Sequence, residues 1–335
     1  MLYVTTRNTT DVHTAHHTLT KDRSVDQGLY VPFHLPRFSG NELGSLSEKS
    51  FSENVCYLLK LLLGKELNPW DLDYAIGRNP VQLAALSHKI VAAETWRNLD
   101  WNFSRLVKEL MSKIHGKSIH DVFISSWAQI AVRISTVFGL FTVAYRKKLF
   151  SPETVVDVAV DEGDLSFAVS VLYCRKMGLP VGNIVCSCSE ESPLWELYHT
   201  GQLLPGTVPV ENMERLIYEI FGLDTTLQYI QSRTSKTAFR LSAQQKQDFR
   251  EMIYPVVVSN SRSETIIPSV YRTVGYILSP ESALSYGALL DYRSRVAERR
   301  PAFLLTEQSP SCQMDTVAKF MNLTSEELKE RIFSK

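Results

Sequence analysis

TVVDVAVDEGDLSFAVSVLYCRKMGLPVGNIVCSCSEE, residues 154–191, decides the fold. Val155 to Val160 is a short β-branched run of the kind that suits a buried strand. Asp161-Glu162-Gly163-Asp164 has turn chemistry, with a glycine among short polar residues. From Ser166 to Met177 the apolar residues Phe167, Val171 and Cys174 recur at helical spacing. Arg175 and Lys176 fall in the last turn of that helix, where the macrodipole favours cations, and Gly178 and Pro180 stop it. Asn183 to Cys188 is a second apolar run. Two strands joined by one helix of this length predict a right-handed parallel βαβ unit. Ligands of such sheets sit at the carboxyl ends of the strands, which points to the turn at Asp161–Ser166.

Outward from this unit the pattern is α/β with a mostly parallel sheet and helices on both faces. Met1–Val4 reads as an edge strand and Gly28–Pro32 as a loop or short strand. Asn41–Leu63 reads as two helices, and Asn68-Pro69-Trp70-Asp71 as a helix start. Lys89–Glu94 reads as a strand, Phe103–Ile114 and Trp127–Phe141 as helices. Downstream, Pro193–His199, Asn212–Phe221 and Thr225–Tyr254 are expected to be helical, with Pro255 ending the last. Thr273–Leu278 is an expected strand, followed by a helix from Pro280 to Arg293, a strand at Pro301–Thr306 and a terminal helix capped by Ser325. The division is residues 1–95, a mainly helical segment packed on the rest, and residues 96–335, the α/β domain, together one unit.

With 335 residues, 44% apolar and 21% charged, the chain can build a sizeable core. A formal net charge of zero argues against nucleic acid as the main partner. Val122–Tyr145 is apolar, but Gln129, Arg133 and several Ser and Thr make it a buried helix rather than a membrane span. No signal-like segment opens the chain, so the expected location is cytoplasmic. The five cysteines do not form a disulfide framework. Cys186 and Cys188 share one strand face and read as small buried hydrophobes. His13, His16 and His17 would share the face of a helix, but no acidic or thiol partner lies nearby and no metal is assigned to them.

Five stretches in order resemble the threonine synthase family, pyridoxal-phosphate enzymes of the tryptophan-synthase-β fold. Tyr3-Val4-Thr5-Thr6-Arg7 is similar to its Y-x-S-T-R-G, and Asp26-Gln27-Gly28-Leu29-Tyr30-Val31-Pro32 to its D-G-G-L-Y-V-P. Trp127-Ala128-Gln129-Ile130 resembles N-W-A-R-I. Tyr173-Cys174-Arg175-Lys176-Met177-Gly178-Leu179-Pro180 resembles Y-A-K-K-M-G-L-P, and Asn212-Met213-Glu214-Arg215-Leu216 resembles N-F-E-R-L. The resemblance implies that fold, with a pocket around Phe103, Ser104, Gly163, Asp164, Leu165, Ser166 and Thr306.

Departures from the family pattern fall on the chemistry. The family's Schiff-base lysine corresponds to Ser104, and imine formation needs a primary amine. The family's glycine-rich phosphate turn is here Gly163-Asp164-Leu165-Ser166, with Asp161 and Glu162 beside it. At an effective dielectric of about 20, one like-charge pair about 4 Å apart costs roughly 4 kcal/mol, so this turn opposes a phosphate. Residues 105–126 stand where the family inserts most of a second lobe, so the small domain is expected to be largely missing. Ser279-Pro280-Glu281-Ser282-Ala283 replaces D-P-H-T-A, and Thr306-Glu307-Gln308-Ser309-Pro310 replaces S-T-A-H-P. The resulting expectation is a catalytically silent relative with no cofactor, no catalytic residue, and a regulatory or metabolite-binding role. Two alternatives stay open. One is an active lyase making threonine from O-phosphohomoserine through another amine, Lys108 or Lys89. The other is an interaction or homo-oligomerisation module with a protein partner.

Overall fold

In the computed structural model, residues 1–64, 82–87, 89–94, 103–118, 120–297 and 299–333 are described, without the side chains of residues 103–106 and 114. The expected helix start at Asn68–Asp71 lies outside them. Strands are numbered in chain order: β1 Leu2–Thr5, β2 His13–Thr14, β3 Tyr30–Pro32, β4 Gln82–Ser87, β5 Ile90–Glu94, β6 Val156–Asp161, β7 Val181–Cys188, β8 Gln202–Leu203, β9 Phe239–Arg240, β10 Ile253–Val257 and β11 Ala302–Thr306.

The βαβ unit forms as read, with β6 and β7 parallel around the Ser166–Lys176 helix. It sits inside a six-stranded sheet of order β10-β7-β6-β11-β5-β4, in which only β4 runs antiparallel. The alternation along β6 explains its composition. Val156, Val158 and Val160 enter the larger core with the Phe51–Leu63 and Ser126–Arg146 helices. Ala159 faces the opposite core, with residues of the Ser263–Val274 and Pro280–Arg295 helices. A strand buried on both faces must be apolar at every position but its special ones, hence the continuous β-branched run. The sheet takes β4 and β5 from the N-terminal segment, so it crosses the division expected at residue 95.

The Ser126–Arg146 helix is long and apolar enough to cross a membrane by composition, but nearly all of that stretch is buried inside this fold. It packs on the Phe51–Leu63 helix so closely that a Cβ at Gly139 would meet the Phe51 ring at 2.6 Å. Residues 116–125 connect it to the Phe103–His115 helix, with no strand among those described.

Three expectations are corrected. β1 is the centre of the three-stranded sheet β2-β1-β3 rather than an edge. Thr273–Leu278 is no strand: the Ser263–Val274 helix runs through Thr273 and ends on Gly275, which takes the left-handed conformation at φ 69°. The helix expected over Thr225–Tyr254 is three elements. Leu223–Ser235 stops at Lys236 in a left-handed cap, β9 follows, and Ser242 with Gln245 builds a capping box that starts Ala243–Met252. Pro255 then lies within β10. Its missing N–H is tolerated there because β10 is an edge strand.

Candidate functional site

The parallel strands end on one side of the sheet, at Asp161, Cys188, Val257, Thr306 and Glu94. Gly163, Asp164, Leu165 and Ser166 follow β6 there as expected. The turn is tight: Gly163 has φ 44° and Leu165, fully buried, has φ 63°. Four of its backbone donors are consumed locally. Glu162 N–H donates to the Ser187 carbonyl (3.0 Å) and Leu165 N–H to the Glu162 carbonyl (2.7 Å). Gly163 N–H donates to Asp161 Oδ2 (3.2 Å) and Ser166 N–H to Asp164 Oδ1 (2.9 Å). A phosphate cradle needs such N–H groups turned outward. These four groups are turned inward rather than outward.

Beside the turn lies a cavity of about 50 Å³. Asp161, Glu281 and Glu307 line it with the hydroxyls of Ser282 and Ser285, over an apolar base of Val160, Phe167 and Leu305. Such a volume holds a few water molecules or a small headgroup. Glu307 accepts from the Arg133 guanidinium at 2.9 Å, and that guanidinium also lies over the Phe167 ring, 4.9 Å from its centroid. Ser187 Oγ donates to Asp161 Oδ1 (3.1 Å) and lies 3.1 Å from Ser285 Oγ. Glu281 Oε1 accepts from the Gln313 amide. The lining thus carries three carboxylates, one of them paired with the Arg133 guanidinium.

Burial pushes the carboxyl of Asp161 above its ordinary range, and the Glu281 charge adds to this. Burial likewise raises Glu162, against a lowering hydrogen bond from Ser192. Because both acids hold protons more readily in the folded chain, the folded state is favoured as pH falls through their raised range. It loses that contribution as pH rises through that range. Burial also pushes the thiols of Cys186 and Cys188 up, the latter to about 12, so both are protonated hydrophobes rather than nucleophiles.

The other sequence candidates divide. Thr306 ends β11 beside the cavity, but its hydroxyl donates to the Ala93 carbonyl (3.1 Å) and ties two strands together. Phe103 and Ser104 open the Phe103–His115 helix, and their side chains lie outside those described. Of the alternative amines, Lys89 stands at the start of β5, its Nζ on the Arg299 carbonyl (3.3 Å). The strand's length, about 16 Å, separates it from the ligand side. Lys108 is exposed. His13 is in β2 while His16 and His17 are in the Ala15–Thr20 helix, so the three do not share a helical face. Arg133 was visible in the sequence only as a charge out of place in an apolar helix.

Residues 2–79 match the family model for the threonine synthase N terminus. The whole fold is similar to that of a PLP bound threonine synthase from Brucella melitensis, at 17% identity, covering 99% of this chain and 94% of that one, with a TM-score of 0.83. It is also similar to threonine synthase from yeast, at 15% identity, 98% and 93% coverage and a TM-score of 0.78. The Escherichia coli threonine synthase matches at 14% identity, 99% and 94% coverage and a TM-score of 0.73. The α/β fold read from the sequence stands, and the resemblance of the N-terminal stretches is matched by the family model over residues 2–79. The expectation of no cofactor is corrected by the first of these structures, since a protein of this same fold holds PLP.

Proposed function

We propose that this chain is a threonine-synthase relative that does not carry out the lyase reaction and uses the cleft at the strand ends to bind a small, amine-bearing metabolite. The observation that carries the reading is the closed acidic turn. Four N–H groups at Glu162, Gly163, Leu165 and Ser166 are spent within the turn and on β7, where a phosphate would need them. Ser104 at the family's lysine position supports the same reading, as does the placement of Lys89 at the far end of its strand. What the cleft offers instead is acceptors. Asp161 and Glu281 can each take a hydrogen bond from an ammonium group, and Ser282 and Ser285 can give or take one. Apolar Val160, Phe167 and Leu305 suit a short carbon chain.

Calorimetric titration at neutral pH tests this. Short primary ammonium compounds are expected to give a saturable heat that disappears in Glu281→Gln, and inorganic phosphate is expected to give none. Saturable phosphate binding, or no response to any ammonium compound, would remove the reading.

A further inference from the structure

Leucine enters the left-handed region reluctantly, yet Leu165 is held there with its side chain fully buried. Such a conformation persists only where its surroundings over-determine it. The surroundings here come from far away in sequence. The Asp164 carbonyl accepts twice from Asn212, from its backbone N–H at 3.2 Å and from its Nδ2 at 3.0 Å. Asn212 is 2% exposed and stands at the N-cap of the Met213–Phe221 helix, where asparagine ordinarily caps with its side chain. It makes no such cap. Its amide N–H goes to the turn and its Oδ1 accepts from Arg215.

Arg215 is itself fully buried. Its Nε and Nη2 donate to the Tyr30 carbonyl at 3.2 and 3.1 Å, and Nη2 reaches Ser126 Oγ at 3.4 Å. Tyr30 is the residue of β3 paired with Thr5 of β1. An unbroken line of hydrogen bonds thus runs from the N-terminal sheet through Arg215 and Asn212 to the Asp164 carbonyl.

We propose that Asn212 and Arg215 are positioning residues for the turn at Asp161–Ser166, and that they transmit the placement of the N-terminal sheet to it. The helix forgoes its own cap so that the asparagine can fasten the turn.

Native-state hydrogen exchange on the full chain tests this without any ligand. In Asn212→Ala, the amides of Leu165 and Ser166 are expected to exchange about tenfold faster or more, the consequence of losing roughly one net hydrogen bond of restraint. Amides of Val158 and Val160 in β6 are expected to keep their protection. Asn212→Asp keeps the acceptor for Arg215 and removes the donor to Asp164. It is expected to loosen the turn while β3 stays protected. Wild-type protection of the turn in both variants would overturn the proposal. So would equal loosening of β6 and the turn, which is what general destabilisation produces.

Discussion

Arg7→Ala is expected to lower the stability of the chain by about 3 kcal/mol, the low end of what breaking a buried ion pair costs. The Arg7 guanidinium grips Glu214 with two hydrogen bonds, Nε to Oε1 at 3.0 Å and Nη2 to Oε2 at 2.9 Å. Thr6 Oγ1 donates to the same carboxylate at 2.5 Å. The Glu214 side chain is 7% exposed and that of Arg7 23%. Removing the arginine leaves a buried carboxylate whose other salt-bridge partner, Arg23, is 3.7 Å away and more exposed. The partial exposure of Arg7 is why the low end applies. Urea melts measure the loss as a shift in midpoint at constant slope. Adding Glu214→Gln to Arg7→Ala removes the stranded charge and is expected to recover part of the loss. A loss under about 1 kcal/mol would place the pair among ordinary surface ion pairs.

A larger loss, about 3–5 kcal/mol, is expected for Trp127→Ala. Trp127 is 1% exposed and lies in contact with two tyrosine rings. Tyr3 of β1 meets it edge-on at 5.2 Å between centroids, and Tyr173 of the Ser166–Lys176 helix does so at 5.7 Å. Truncation removes a large apolar area, leaves a cavity, and breaks two aromatic pairs worth about 0.5–1.5 kcal/mol each beyond their area. The tryptophan therefore joins the N-terminal sheet to the helix that starts at the site turn. Since a domain's whole stability is of the order of 5–15 kcal/mol, the variant is expected to populate unfolded chain at modest denaturant. Urea unfolding followed by far-UV circular dichroism checks it. A midpoint close to the parent's would mean that the site collapses around the gap.

What the sequence could reveal tracks the range of the interaction involved. The βαβ unit was legible because burial on both faces of β6 writes itself locally, as valines at Val156, Val158 and Val160 with Ala159 between. Pro255 misled because proline marks a helix end and an edge strand equally well, and only the sheet order distinguishes them. Thr273–Leu278 carried β-forming residues, but a helix already propagating and a left-handed Gly275 outweighed them. At the site, the acidic turn could be read because its carboxylates are neighbours in the chain. The cavity could not, because Asp161, Glu281 and Glu307 are brought together only by the sheet and the start of the Pro280–Arg295 helix. The Arg7–Glu214 pair spans 207 residues and left no local trace beyond the two stretches that resembled the family.

The most direct test is turnover. Purified full-length protein is incubated with O-phosphohomoserine and pyridoxal phosphate, and threonine and inorganic phosphate are both measured against a protein-free blank. The proposed reading predicts neither product above the blank. Release of threonine and phosphate in equal amounts over many turnovers would contradict the proposal.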